Sequence, residues 1–260
     1  EAKQLIESGT KEITLLGQNV NAYHGLKEHS TRKQEFGLGY LIRRIAEING
    51  LKRLRYITSH PKDMNDDLIS AHGEVELLMP FLHLPVQSGS DQVLERMNRQ
   101  HKVKDYILVV EKLLSARPEL RLSSDFIVGF PGESDADFEA TISLIREVKF
   151  LQAYSFKFSP RPGTPGATLE NQIPNNIKDS RLALLQDMLL GHQSEFNKSS
   201  IGKTVPVLFD RKGRVDGQLL GRTKFMQPVH ANLDDNYMGQ VSQVIIDTAT
   251  SNSLGGSVTK

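Results

Sequence analysis

The 260 residues are 38% hydrophobic and 24% charged, the composition of a globular protein with one large domain or a medium and a small one. A net charge of +1 excludes a global basic field, so any contact with nucleic acid has to come from a local patch. Cysteine is absent, which excludes disulfides, thiolate metal sites and cysteine nucleophiles within these residues.

Residues 2–8 read as the second half of an amphipathic helix ending at Gly9. With Glu rather than Met at position 1, the chain is expected to begin inside a domain. Five strand-then-helix units follow. The first strand, 12–16, is apolar at Ile13, Leu15 and Leu16 and ends in Gly17-Gln18-Asn19. A polar loop rich in His, Lys and Arg leads to a helix with Leu38, Leu41, Ile42, Ile45 and Ile48 at helical spacing. The second strand, 54–58, ends in Ser59-His60-Pro61, and a short helix around Leu68 follows. The third strand, 81–86, ends in Gln87-Ser88-Gly89-Ser90. Ser90 is placed to cap a short helix, and a longer helix runs from Tyr106 to the Arg117-Pro118 stop.

The fourth unit is the most informative. A buried strand, 122–128, runs into Gly129-Phe130-Pro131-Gly132-Glu133 and then a helix with Ser134 as N-cap and Asp137 at capping-box spacing. Glycines at such a bend let a ligand approach the backbone. The fifth strand, 153–158, ends in Ser159-Pro160-Arg161-Pro162-Gly163-Thr164. Strands alternating with helices predict a parallel α/β sheet. A helix after Pro174 leads to short β segments at 205–209, 218–220, 229–231 and 241–248. They predict a small barrel resembling an oligonucleotide-binding fold, with the boundary near residue 200.

Each strand of the sheet ends in polar or permissive residues, which predicts a ligand-lined rim at the carboxyl ends. The bland alternative of caps and turns fits Ser90 and Ser134. His60 is either a general acid–base or substrate contact, or a packing histidine. His83 reads as a satisfied core histidine. His24, His29, His72 and His101 lie in polar surroundings without metal-ligand spacing, so no metal site is expected. Arg161, fixed between prolines, suits a carboxylate or phosphate, or a surface ion pair. Arg222, Thr223, Lys224 and Phe225 form one basic–aromatic loop of the kind RNA requires; Arg211, Lys212 and Arg214 form another.

Taken together, Gly17-Gln18-Asn19-Val20-Asn21-Ala22-Tyr23, Thr58-Ser59-His60-Pro61, Leu84-Pro85-Val86-Gln87-Ser88-Gly89-Ser90, the stretch 125–133 and Ser159-Pro160-Arg161-Pro162-Gly163-Thr164 resemble the radical S-adenosylmethionine methylthiotransferases, in particular the tRNA-modifying MiaB type. The last sixty residues resemble that family's TRAM domain, a small RNA-binding β-barrel. The resemblance implies a partial radical-SAM (βα) barrel over 1–200, holding strands two to six of a six-stranded open barrel and a linker helix at about 175–200. It is followed by a TRAM domain over 201–260.

The implied activity converts isopentenylated adenosine beside the anticodon of certain tRNAs into its 2-methylthio derivative. The nearest alternative is the relative that methylthiolates an aspartate of a ribosomal protein; a non-catalytic RNA-binding fragment is another. The implied cofactors are S-adenosylmethionine and, in full-length members, two 4Fe-4S clusters. By resemblance Gly17, Gln18 and Asn19 lie near the methionyl amino end of S-adenosylmethionine, and Gln87 and Ser88 near its ribose and carboxylate. Ile127, Gly129 and Phe130 flank its adenine, with Asp125 also in the cofactor site. Asn21, Tyr23, His60 and Arg161 face substrate or cofactor, and 222–225 grips the tRNA.

The departure from the family pattern is the missing cluster cysteines. Truncation is the expected cause, so the chain is expected to bind no cluster and to turn nothing over. A cytoplasmic monomer that contacts the tRNA anticodon stem-loop and no membrane is expected, with sulfur and electron donors unassigned.

Overall fold

The structure is a computed structural model that describes residues 1–26 and 35–259; His29 lies outside them. Helix α1 (Ala2–Glu7) leads into strand β1 (Glu12–Leu15). A short hairpin of β2 (His24–Leu26) and β3 (Glu35–Gly37) follows, then α2 (Leu38–Ala46) and β4 (Arg53–Tyr56). Next come α3 (Asp66–Glu74), β5 (Phe81–His83), α4 (Asp91–Arg96) and α5 (Val103–Ala116). Then β6 (Arg121–Val128), α6 (Asp135–Val148), β7 (Gln152–Lys157), the single turn α7 (Pro165–Thr168) and the long α8 (Asn175–Lys198) complete the first part. Strands β8 (Thr204–Lys212), β9 (Gln218–Arg222), β10 (Pro228–Asn232), β11 (Val241–Ala249) and β12 (Leu254–Val258) form the second.

The first part is a parallel sheet in chain order. β1 pairs with β4, and β5, β6 and β7 pair in turn. A bridge from Leu54 to Leu78 joins the two groups. Because side chains alternate along a strand, one face carries Leu54, Tyr56, Leu82, Leu122, Phe126 and Val128. These sink into a common core with Ile42, Leu68, Tyr106, Leu113, Ile142 and Ile145 from the helices. The other face carries Glu12, Arg53, Arg55, His83, Ser123, Asp125, Tyr154 and Phe156. It is polar and aromatic, and Tyr154 and Phe156 are 62% and 55% exposed.

The α6 start follows its sequence signature: Asp137 N–H donates to Ser134 Oγ at 3.2 Å, and Ser134 N–H to Asp137 Oδ2 at 2.9 Å. Two expectations change. The third strand keeps only Phe81–His83 as regular ladder, since Pro85 has no N–H to donate. The barrel has a fifth strand, β12, which closes it in the order β10-β12-β11-β8-β9. Its Leu-Gly-Gly start hides a strand because neighbours sit where side chains would go. A Cβ on Gly256 would strike the Ile245 carbonyl and Val244.

The barrel has its own core of Val207, Phe209, Leu219, Val229, Val244, Ile246 and Leu254. It docks on the sheet through two arginines. Arg53 donates to the carbonyls of Arg222 and Pro206, each at 2.8 Å; Arg55 donates to those of Lys224 (3.1 Å) and Thr223 (3.3 Å). They are 3% and 5% exposed. Glu12 Oε1 lies 3.2 Å from Arg55 Nε, an ion pair whose angle falls short of a hydrogen bond. Lys224 pairs with Glu119, Phe225 meets Phe196 edge-on at 5.3 Å, and Gln227 donates to Asn197 Oδ1 at 2.8 Å.

Candidate cofactor and substrate site

The carboxyl ends of β1, β4, β5 and β6 surround a hollow of about 270 Å³, lined by Gln18, Asn19, Thr58, Ser59, His60, His83, Pro85, Gln87, Arg99 and Asp125. A second hollow of about 350 Å³ adjoins it, sharing Asn19, His60 and Arg99 and adding Lys62, Asp63 and the loop after α4.

Two residues lining the first hollow have left-handed backbones without being glycine: Thr58 at φ 64° and Gln87 at φ 76°. A β-branched residue in this region is an outlier, and each such residue costs about 1–3 kcal/mol. The cost is held by the ladder around them. Val20 N–H donates to the Thr58 carbonyl (3.0 Å). Gln87 N–H donates to the Asp125 carbonyl (3.0 Å), and Ile127 N–H to that of Gln87 (3.0 Å). Gln87 is thereby locked beside β6, and its side-chain amide makes no hydrogen bond among the described residues.

Arg99 is the group that composition and motif reading did not find. It is half-buried, and its guanidinium has no hydrogen-bond partner among the described residues. Burial lowers its pKa, with Asp125 the opposing influence. The sequence signal was the polar run Asn98-Arg99-Gln100-His101, which a two-turn helix aims back at the strand ends.

His60 meets His101 edge-on at 5.6 Å. Burial, then the charge of Arg99, lowers the His60 pKa; burial and His60 lower that of His101. Both rings therefore stay neutral at neutral pH. His101 is buried, and among the described residues neither of its nitrogens has a hydrogen-bond partner of good geometry, although the Val86 backbone lies close enough to favour the charged ring. His72 is buried too, its Nε2 in a 2.7 Å hydrogen bond with the Tyr56 hydroxyl. His72 and His101 are thus buried; the ring beside His72 is Tyr56, while His101 keeps the polar neighbours His60 and Arg99. His83, read as a core histidine, instead stands on the open face. Its Nδ1 is 2.9 Å from Ser123 Oγ and its Nε2 is 3.6 Å from Asp125.

Gln18, Asn19, His60, Gln87 and Asp125 thus share one hollow, with Gly17 adjacent in the chain. The remaining expected residues have other neighbours. Ser88 is fully buried against Thr141 Oγ1, 3.3 Å away. Asn21 is buried, exchanging two 2.8 Å hydrogen bonds with the His60 backbone, and so shapes the rim from behind. Tyr23 packs on Phe36. Ile127 shares the open face with Asp125, while Phe130 is buried against Phe158. Gly129 is closed to a ligand on its Cβ side, because the Lys178 stem occupies that space. Arg161 is exposed in the turn after β7, outside the hollow. Thr223, Lys224 and Phe225 face the sheet rather than open solvent, since the two arginines and Phe196 hold that loop down.

Chemically, a lone half-buried guanidinium, an unpaired amide and a carboxylate around one small hollow suit a zwitterionic amino-acid head group. Arg99 and Gln87 would take its carboxylate, and Asp125 its ammonium. An iron–sulfur cluster does not fit these residues, because its thiolate ligands are absent from the chain. Among the described residues no three His, Asp or Glu side chains gather to hold a metal ion, and no helix is long and apolar enough to cross a membrane.

Comparison with known proteins gives a match of residues 1–145 to the radical SAM superfamily and of 198–259 to the TRAM domain. Three relatives are each named tRNA-2-methylthio-N(6)-dimethylallyladenosine synthase. That of Maricaulis maris is 51% identical over all of this chain and 57% of its own length. That of Bartonella tribocorum is 52% identical over all of this chain and 56% of its own, and that of Rickettsia conorii 53% identical over 99% and 58%. The chain therefore spans a little over half the length of these relatives. With the superfamily match covering more than half of the chain and the polar strand ends gathered in one hollow, the chain belongs to the radical SAM superfamily and carries a TRAM domain.

Proposed function

We propose that this chain is the part of a MiaB-type tRNA methylthiotransferase that holds S-adenosylmethionine and RNA, with isopentenylated adenosine beside the anticodon as substrate. The observation that supports this most is the shared hollow: separate strands bring Gln18, His60, Gln87 and Asp125 to one place in a chain that matches enzymes of that name from end to end. The shared name of all three relatives favours tRNA over a ribosomal protein as substrate.

In this reading the chain divides near residue 200. Arg99 and Gln87 hold the carboxylate of S-adenosylmethionine, Asp125 its ammonium, and the bend 129–133 adjoins its nucleoside. Neutral His60 and His101 wall the site without adding a charge that would repel the sulfonium. When bound, S-adenosylmethionine supplies the methyl group and the radical chemistry that activates an unreactive ring carbon. No step is assigned to the clusters, and the chain alone is expected to show no turnover.

RNA meets the barrel at the exposed loop 211–214, because 222–225 is engaged elsewhere. The anticodon stem-loop is the expected partner and the cytoplasm the expected compartment.

Equilibrium dialysis with S-adenosylhomocysteine tests the site. Arg99→Ala and Gln87→Ala should each weaken binding about ten-fold, with thermal stability unchanged or raised for Arg99→Ala because an unpaired, half-buried charge is lost. No binding by the wild-type chain, or binding by both variants as tight as the wild type's, overturns the reading.

A further inference from the structure

We propose that Lys178 and Arg181, one turn apart on α8, are positioning residues for the nucleoside end of the S-adenosylmethionine site. The inference rests on the site reading above and assigns it two residues from a helix outside the sheet.

The bend 129–133 is held partly by its own bonds and partly by side chains from two helices. Gly129 is left-handed at φ 70° and its N–H donates to Glu133 Oε2 at 2.7 Å, which closes the bend around a buried carboxylate. Arg181 then grips that carboxylate. Its Nη1 lies 2.6 Å from Glu133 Oε2 and 3.1 Å from the Glu133 carbonyl, its Nη2 lies 2.7 Å from Asp135, and its guanidinium stacks over Phe138. Lys178 lays its stem where a Gly129 side chain would be, and its Nζ donates to the Phe158 carbonyl at the end of β7 at 3.1 Å. Phe158 in turn meets Phe130 edge-on at 4.9 Å. Arg96 of α4 donates to the Gly132 carbonyl at 2.5 Å.

Three cations from two helices thus converge on the bend and the residues beside it, and Lys178 and Arg181 are both buried. Removing such charges from water costs several kcal/mol each, more than an ordinary strand-to-helix corner requires. That cost is understandable where the backbone after a strand must be held in one shape, because there it meets a ligand. The same helix reaches the barrel. Asn197 at its far end accepts from Gln227 and donates to the carbonyls of Thr250 and Ser251. A 24-residue helix spans about 36 Å, so one rigid element touches both the nucleoside bend and the RNA-binding barrel.

The test is calorimetric titration of the full chain with S-adenosylhomocysteine, at a temperature where circular dichroism shows every variant folded. Arg181→Met should weaken binding about ten-fold, Arg181→Lys should recover part of the loss, and Lys178→Met, which keeps the stem, should weaken it about three-fold. A purely structural role would lower the melting temperature and leave these affinities alone. If both Met variants bind within two-fold of wild type while Arg99→Ala and Gln87→Ala lose binding, the site stands and the positioning role falls. If Arg181→Met does not fold, Lys178→Met decides alone. Absence of binding by the wild type removes the site and this inference with it.

Discussion

At the amino-terminal end of the sheet, Arg53 and Arg55 are almost sealed from solvent, yet their terminal nitrogens all reach backbone carbonyls of the barrel. At the carboxyl-terminal end, Arg99 is half-buried and bonds to nothing described, beside two residues in left-handed conformations. The chemistry of the side chain is the same; the difference is whether the protein completes its hydrogen bonds. A satisfied buried guanidinium fastens two parts together. An unsatisfied one in a hollow is free to meet an anion from outside, the role proposed for Arg99. The closed end explains why the barrel loop 222–225, basic and aromatic in sequence, serves docking instead.

The sharpest way to break this contrast is Arg55→Met. It leaves two barrel carbonyls without their donor and Glu12 with Arg53 alone, 3.7 Å away, and should cost about 3–5 kcal/mol in urea unfolding, with S-adenosylhomocysteine affinity unchanged. A loss of affinity instead would merge the two ends into one functional unit.

Next in size is a pH effect confined to the closed core. Burial, with Arg117 nearby, holds His72 down to about 3, below the ordinary value of 6.5. The unfolded chain therefore takes up the proton first as pH falls. Stability is full above about pH 6.5 and declines by about 1.4 kcal/mol per pH unit toward pH 3. His72→Phe should flatten that part of the profile, read as the urea midpoint at several pH values. An unchanged slope would show that other groups govern acid sensitivity.

On the RNA side, replacing Arg211, Lys212 and Arg214 by alanine should weaken anticodon stem-loop binding about ten-fold and lower the salt slope by about three, one per cation. Their ion pairs with Asp210 and Asp235 are exposed and offer little resistance to RNA. Lys224→Ala should instead lower stability with RNA affinity kept. The reverse result would return the docking loop to the RNA. The smallest expected change is Ser134→Ala, about 1 kcal/mol from the lost cap, seen in thermal melts.

Much of the architecture was legible before any coordinates. The alternation of apolar strands with amphipathic helices gave the parallel sheet, and Ser134 with Asp137 marked the start of α6 to the residue. The hairpin β2–β3 and strand β12 were not visible, because their residues are polar or glycine and carry no apolar alternation. Glycine was also ambiguous. Gly129 was read as an opening for a ligand, whereas the stem of Lys178, far along the chain, fills that opening. Ser88 and Asn21 were expected in the site, Asn21 from the resemblance alone and Ser88 also as part of a polar strand end. Strand alternation and a tight turn send them inward, where they brace the rim.

The sequence by itself determined the fold class, the rim of polar strand ends and the family, since periodicity and ordered motifs are local properties that survive without neighbours. Which cations are satisfied was decided by tertiary structure alone. Arg53, Arg55, Lys178 and Arg181 acquire partners from segments far along the chain, and Arg99 acquires none among the described residues. A charge's role depends on what removes it from water and what replaces that water, and neither is written in the residues beside it.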